Sequence, residues 1–337
     1  MAAASQLRFR SYADIVGNPL PPVEYDVEPL IVCGARVLIY AEPGVGKTWL
    51  GLDLALSLAA GRKWMGQFAV PSPRRVLYLD EEMGQHSLER RIHRLGNGTE
   101  IADNVPFRAL SRPGLTFTTE GVSHLLSAFA TESFDPQVVV VDSLRRVLVG
   151  SENDAEAVAA FWRITKRLYE ERTFVIIHHM KKPNPQGAND SRYRASGSTD
   201  LLAGPDAAFA ITRARGDAML VECVKNRHGV EPDPFLVSLY DDANDGPIFL
   251  RYDGTPADVR LEDAAETQAA SLILTFLSDP PDRIASTSEI DAYLAFNHVK
   301  KRTGERARAS LKAAGKIESP EGKRGRWHVV KKADVVT

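Results

Sequence analysis

From Leu30 to Ile211 short apolar runs alternate with longer amphipathic stretches. The runs at 36–40, 75–80, 105–110, 137–142, 173–178 and 207–212 are five or six residues long and mostly apolar, which predicts strands. Between them, 47–60, 86–95, 120–132 and 153–171 place apolar residues at helical spacing. Strands alternating with helices predict an α/β domain with a central, mainly parallel sheet covered on both faces. Val138-Val139-Val140-Val141 is unbroken apolar sequence, as a strand buried on both sides requires.

The pattern changes after Ile211. Runs at 218–225, 234–240 and 247–252 are separated by turn residues and read as antiparallel strands that extend the sheet. Residues 1–30 carry Pro19, Pro21, Pro22 and Pro29 and read as an N-terminal arm, so the main domain spans 31–252. Residues 253–267 are polar and acidic and read as a linker. A second small unit, 268–332, follows. It begins with helical sequence at 271–277, then Ser286-Thr287-Ser288-Glu289 as a helix cap before Ile290 and Leu294. A third helix over 299–314 exposes Arg302, Arg306 and Arg308 and buries Leu311. Segments 315–318 and 326–330 then form a hairpin whose turn and rim hold Lys323, Arg324 and Arg326. Three helices with a terminal hairpin describe a winged helix.

Charge sharpens that reading. The chain of 337 residues has a net charge of −2, yet residues 300–332 hold twelve Lys/Arg and three acids, a net of +9. A basic helix beside a basic hairpin suits duplex DNA through its phosphates, with protein docking as the alternative. Hydrophobic content of 44% and charged content of 26% are those of an ordinary globular protein. The N-terminus lacks an apolar signal core and no apolar run reaches membrane-span length, so a cytoplasmic protein without membrane contact is expected. The two cysteines, Cys33 and Cys223, lie in strand-like runs and read as buried thiols rather than a disulfide or metal site.

The chemistry begins at Val37–Thr48, VLIYAEPGVGKT. A strand, a Gly-containing turn and Gly46-Lys47-Thr48 at the start of a helix make a P-loop. Ala41, Glu42, Pro43, Gly44, Val45, Gly46, Lys47, Thr48 and Trp49 are the nucleotide-binding candidates. Glycines let backbone N–H groups converge on phosphate oxygens, and the helix N-terminus adds its dipole. Lys47 reaches the β/γ-phosphates and the Thr48 hydroxyl is a Mg²⁺ ligand. Ala41 stands where the strict motif has Gly, a small residue that still fits.

Val138–Asp142 is a buried strand that delivers a carboxylate to the sheet's C-terminal edge, the Walker B pattern, so Asp142 joins Thr48 as a metal ligand. Ser143 follows it, so no Glu stands directly after the Asp. An acid is available instead at Asp80-Glu81-Glu82, after the strand Val76–Leu79. A carboxylate there polarises the attacking water.

These motifs, over residues 30–240, resemble the RecA-like hexameric helicases within the P-loop AAA-type ATPases, and especially the plasmid RepA-type and DnaB-type replicative helicases. The LYLDEEM segment resembles the family strand that ends in a catalytic Glu followed by Met. That register implies Glu82 as the base, with Glu81 as the alternative. IIHHMKK resembles the RepA-type strand end whose His senses the γ-phosphate, which implies His179. The neighbouring pair His178-His179 is no chelate, because adjacent strand residues point to opposite faces. Val224–Gly229 resembles the family's Lys-x-Arg hairpin, which implies Arg227 as a finger acting on a neighbour's nucleotide, with Lys225 as its companion. A basic turn in water is the alternative.

Met180–Ser198 is a long polar loop holding Lys181, Lys182, Arg192, Tyr193 and Arg194. Cations for phosphates and a Tyr for stacking suit a single strand. The resemblance implies that this loop faces the central channel of a ring. It further implies ATP and Mg²⁺ as cofactors, a homo-oligomer, hexameric by analogy, and a replicative DNA helicase that hydrolyses ATP at subunit interfaces. An ATP-switched DNA-binding regulator or partition-like protein, and a RecA-like recombination or repair ATPase, are the rival readings.

Overall fold

The computed structural model describes residues 9–169, 172–180, 195, 200–214, 218–229, 231–242, 246–280, 283–320 and 325–330. The chain divides into two compact units between Asp253 and Gly254. In order, the first contains α1 (Tyr12–Gly17), β1 (Tyr25–Val27), β2 (Ile31–Val32), β3 (Arg36–Ala41), α2 (Lys47–Ala60), β4 (Val76–Asp80), α3 (Gln85–Gly98), β5 (Phe107–Ser111) and α4 (Thr119–Thr131). It continues with β6 (Val138–Asp142), α5 (Leu144–Val147), α6 (Ala155–Tyr169), β7 (Thr173–His179), α7 (Asp200–Ala203), β8 (Ala207–Arg213), β9 (Met219–Asn226), β10 (Phe235–Asp241) and β11 (Ile248–Tyr252).

The main sheet has nine strands in the order β11-β10-β9-β8-β3-β7-β6-β4-β5. From β8 to β5 every neighbouring pair is parallel. Beyond β8 the sheet continues antiparallel through β9, β10 and β11. Alternation along each strand divides the apolar side chains between two cores. Val37, Ile39, Val138, Val140, Val175 and Ile177 face α2 and α3. Leu38, Tyr40, Val139, Val141, Phe174 and Ile176 face α4, α5 and α6. With helices on both faces, strands β3, β6 and β7 need no polar face, which is why they read as continuous apolar runs.

The first unit starts earlier than the proposed arm allows. Val27, Leu30 and Ile31 are buried, and Asp26 accepts hydrogen bonds from Arg74 (Nε to Oδ1, 2.6 Å) and from the Thr173 hydroxyl. A buried carboxylate needs such partners, and here they fasten β1 to the sheet. Cys33 and Cys223 are free and only half-buried. Burial pushes the Cys33 thiol up to about 12 and the Cys223 thiol up to about 11, far from a reactive thiolate.

The second unit holds α8 (Pro256–Ser278), β12 (Ala285–Ser286), α9 (Thr287–Phe296), α10 (Lys301–Ala313), β13 (Ile317–Glu318) and β14 (Arg326–Val329). The stretch read as a linker, 253–267, is therefore helical from Pro256; an acidic composition is compatible with a helix. Ala269, Ile273, Leu277, Ile290, Leu294, Ala307, Leu311 and Ile317 form the small core. Ser286 and Glu289 make the expected reciprocal cap of α9. The short β12 pairs with β14, giving a three-stranded sheet in the order β12-β14-β13 where two strands were expected. Among the described residues no helix is long and apolar enough to cross a membrane.

Candidate active site

The turn after β3 is shaped by glycine. Gly44 (φ +72°) and Gly46 (φ +107°) occupy the left-handed region that disfavours a Cβ. Gly46 is also the N-cap of α2 and supplies no capping side chain. The first N–H groups of α2 therefore point at the cleft without a side-chain acceptor, the arrangement that binds anions at helix starts. Arg213 braces the turn from outside: its backbone N–H donates to Glu42 Oε2 (3.0 Å) and its guanidinium to the Gly44 carbonyl (3.1 Å). Ala41, fully buried at the end of β3, fits in the motif's first position.

Three strand ends meet at this turn. Lys47 Nζ donates to Asp142 Oδ1 (3.0 Å) and Glu82 Oε2 (3.3 Å). The Thr48 hydroxyl donates to Asp142 Oδ2 (2.8 Å), and the buried Tyr78 hydroxyl donates to the same oxygen (3.1 Å). The Ser143 hydroxyl donates to Glu82 Oε1 (2.6 Å), and His179 Nε2 lies 3.1 Å from that oxygen. Parallel register explains the convergence: Asp80 is level with Asp142, and Ala41 with His179.

The hydrogen bond from His179, then that from Ser143 and the charge of Lys47, outweigh burial and hold the Glu82 carboxyl well below the usual carboxylate range. Glu82 is thus an ionised carboxylate beside the P-loop lysine. Glu81 has a different task. Its Oε1 accepts the Leu115 backbone N–H (2.7 Å), tying the 111–117 segment to the end of β4. Asp80, solvent-inaccessible, accepts from the Met83 N–H (2.9 Å) and so shapes the turn that aims Glu82; burial pushes it up to about 6.

The cleft has a volume of about 540 Å³ and is lined by the P-loop, Trp49, Glu82, Arg91, His179, Arg213, Met219 and Leu239. Lys47, Glu82 and Asp142 together carry a net negative charge. A hydroxyl and a carboxylate at 2.8 Å are hard oxygen donors, so Thr48 and Asp142 fit Mg²⁺. His178, by contrast, is buried on the other face of β7, 3.8 Å from Glu152. Among the described residues no cluster of His, Cys, Asp or Glu forms a separate metal site.

Lys225 and Arg227 are not in this cleft. Lys225 Nζ donates to the Leu202 (2.6 Å) and Ala203 (3.0 Å) carbonyls, and Arg227 to the Ala203 carbonyl (2.8 Å). Lys225 is level with Ala208 at the start of β8, whereas the P-loop follows the end of the parallel β3. Ala208 is level with Leu38, three residue steps of strand before Ala41, roughly 10 Å. Lys181, Lys182, Arg192, Tyr193, Arg194, Lys323 and Arg324 lie outside the described residues. Arg302 and Arg326 are exposed. Arg308 corrects the expectation of an exposed helix face. It is 11% exposed and donates to Asp291 (2.7 Å) inside the second unit, while Arg306 pairs with Glu266 (3.1 Å).

Tyr78, Ser143, Arg213 and Arg91 were not singled out from the sequence as site residues. Tyr78 alone left a signal, as a hydroxyl inside an apolar strand.

Comparison with known proteins agrees with this geometry. The profile of a family described as an AAA domain matches residues 3–185, more than half of the chain. The chain belongs to this AAA domain family. Its fold is an α/β P-loop fold with a central, mainly parallel sheet, as the motifs imply. The DNA repair protein RadA of Mycobacterium tuberculosis, in strains CDC 1551 / Oshkosh and ATCC 25618 / H37Rv, is 26% identical over 239 residues, or 68% of this chain and 43% of the relative. The chain thus spans under half the length of these curated relatives. A solved structure of a DnaB-like replicative helicase, studied with its interactions with primase, aligns at 15% identity and a TM-score of 0.47, covering 62% of this chain and 57% of that one.

Proposed function

We propose that this chain is an ATP-driven, oligomeric DNA motor of the replicative-helicase type, hydrolysing ATP at subunit interfaces. The observation that carries the reading is the meeting of Lys47, Thr48, Glu82, Asp142 and His179 in one cleft. Lys47 exchanges its carboxylate partners for phosphate oxygens. Thr48 and Asp142 would hold Mg²⁺, which would supply positive charge to the phosphates. Glu82, already ionised, orients and polarises the attacking water. His179, bonded to Glu82 on one side and opening to the cleft on the other, links the γ-phosphate position to the 181–199 segment that follows β7. Arg227 and Lys225, outside the cleft of their own chain, serve the site of a neighbouring subunit in this reading. The exposed Arg302 and Arg326, on a winged-helix-like second unit, contact duplex DNA.

The RadA similarity favours one second reading, a DNA-repair ATPase of recombination type. A forked duplex incubated with purified protein and ATP separates the two. ATP-dependent strand separation supports the motor. DNA-stimulated hydrolysis without separation, accompanied by strand exchange, supports the repair ATPase and rejects the helicase.

A further inference from the structure

Helix α3 turns an apolar stripe inward through Leu88 and Leu95, both buried. Arg91 stands on that stripe, one turn after Leu88, where an apolar residue is the ordinary choice. A guanidinium in a partly buried position usually finds a carboxylate or carbonyl. Among the described residues no hydrogen bond or ion pair engages the Arg91 side chain. Its contact is with Trp49, and the guanidinium carbon lies 4.7 Å from the ring centroid. Both residues line the phosphate-binding cleft, to which Met219 and Leu239 add apolar surface.

The cleft therefore offers two kinds of chemistry. The P-loop supplies charge, hydroxyl and backbone donors, and Met219 lies against it at Gly46. Trp49 and Arg91 add an aromatic face and a planar cation with spare donors, and Trp49 directly follows Thr48. A nucleoside triphosphate combines the same two needs: a polyanion joined to a flat, weakly polar base. Planar guanidinium and indole groups bind such π-faces by stacking and cation–π contact.

We propose that Arg91 and Trp49 form the nucleobase seat of this site, with the base stacked against the pair and the Arg91 N–H groups available to its edge or to the ribose. This rests on the reading of residues 41–48 as the phosphate cradle. Stacking reads a π-face rather than a hydrogen-bonding pattern, so purine triphosphates of either kind are accepted.

The test compares ATP, GTP and inorganic tripolyphosphate, which has the phosphates but no base, by calorimetric titration of the full chain. Arg91→Ala weakens ATP and GTP about tenfold or more and leaves tripolyphosphate unchanged. Arg91→Lys keeps the charge but not the plane, and behaves like Arg91→Ala. Trp49→Phe keeps a ring and loses less than Trp49→Ala. Lys47→Ala weakens all three ligands. ATP affinity unaltered in both Arg91 variants, while wild type binds tripolyphosphate, overturns the proposal and leaves the cradle standing. An equal loss of tripolyphosphate makes Arg91 a phosphate ligand and also overturns it. Wild-type protein that binds neither ATP nor tripolyphosphate rejects the cradle itself.

Discussion

His179 Nε2 and Glu82 Oε1 lie 3.1 Å apart, joining the end of β7 to the turn after β4. The bond does two things: it orients the carboxylate and it holds it ionised. Glu82→Gln is expected to bind ATP normally and to lower turnover about 10²-fold or more, the range lost with a general base. The pH profile isolates the His179 contribution. A depressed carboxyl is deprotonated throughout the neutral and mildly acidic range, so its acid limb lies below the ordinary Glu value of about 4.3. Removing the donor raises it, so the acid limb of kcat/KM in His179→Ala moves to higher pH. His179→Gln retains a donor and shifts less. Coincident acid limbs for all three proteins would count against the assignment.

Lys47 sits between Glu82 and Asp142, and both carboxylates lose a cation when it is removed. Lys47→Ala is expected to abolish measurable ATP binding and hydrolysis. Asp142→Asn keeps an acceptor for Thr48 but reduces the charge at the metal position. Its activity should therefore recover in part at raised Mg²⁺ concentration, and a titration of rate against Mg²⁺ checks this.

Arg227, 48% exposed, is anchored at the end of the sheet away from its own P-loop. Arg227→Ala should retain ATP binding and lose on the order of 10³-fold in rate, the lower end for an arginine supplied in trans. Mixing it with Lys47→Ala should restore activity, because interfaces with both intact halves re-form. Specific activity that is independent of protein concentration, in a protein sedimenting as a monomer, would reject the trans finger.

The second unit should be removed at the Asp253/Gly254 boundary, since a cut at 268 would sever α8. Loss of residues 254–337 is expected to weaken duplex binding and preserve basal ATPase. Arg302→Ala and Arg326→Ala should each reduce the slope of affinity against salt by about one. Arg308→Ala should instead lower the melting temperature of the unit, because it leaves Asp291 without its partner. Filter binding at several salt concentrations and thermal melts separate the two effects.

Asp53 is fully buried in α2 beside Arg62, and burial pushes it up to about 6. A carboxyl raised in the folded state favours folding when protonated, so its contribution is greatest below about pH 4 and is lost as pH rises towards 6. Asp53→Asn should flatten that part of the stability profile, with a difference of about 2–3 kcal/mol at most between the ends. Denaturant melts at pH 4.5 and 7.5 measure it.

The sequence was most legible where one physical demand dominates. A strand buried on both faces has to be apolar throughout, and Val138–Val141 is; a phosphate turn needs glycine where φ is positive, and Gly44 and Gly46 stand there. It was least legible where composition misleads about packing. Proline and polar residues before position 31 concealed the buried Val27 and Leu30, and acids at 253–267 concealed the first turns of α8. Charge had the same defect. Arg308 counts towards a basic helix in a sum but is consumed by Asp291 in space. Arg91 gave no signal, since its meaning depends on Trp49, which lies 42 positions earlier in the chain and is brought close only by folding.

The position of β3 has a mechanical consequence. Hydrogen-bonded to β7 on one side and β8 on the other, it carries the P-loop at its end, while β8 carries at its start the carboxylate of Asp206 that neighbours Arg227. A movement of one end of this strand pair is hard to absorb by bending, because both strands are sandwiched between two packed cores. Under the trans-finger reading, a subunit that closes on its own nucleotide must therefore tilt, and the tilt is delivered to the next subunit's nucleotide. Firing in sequence around an assembly would then follow from stiffness alone, without a dedicated signalling loop.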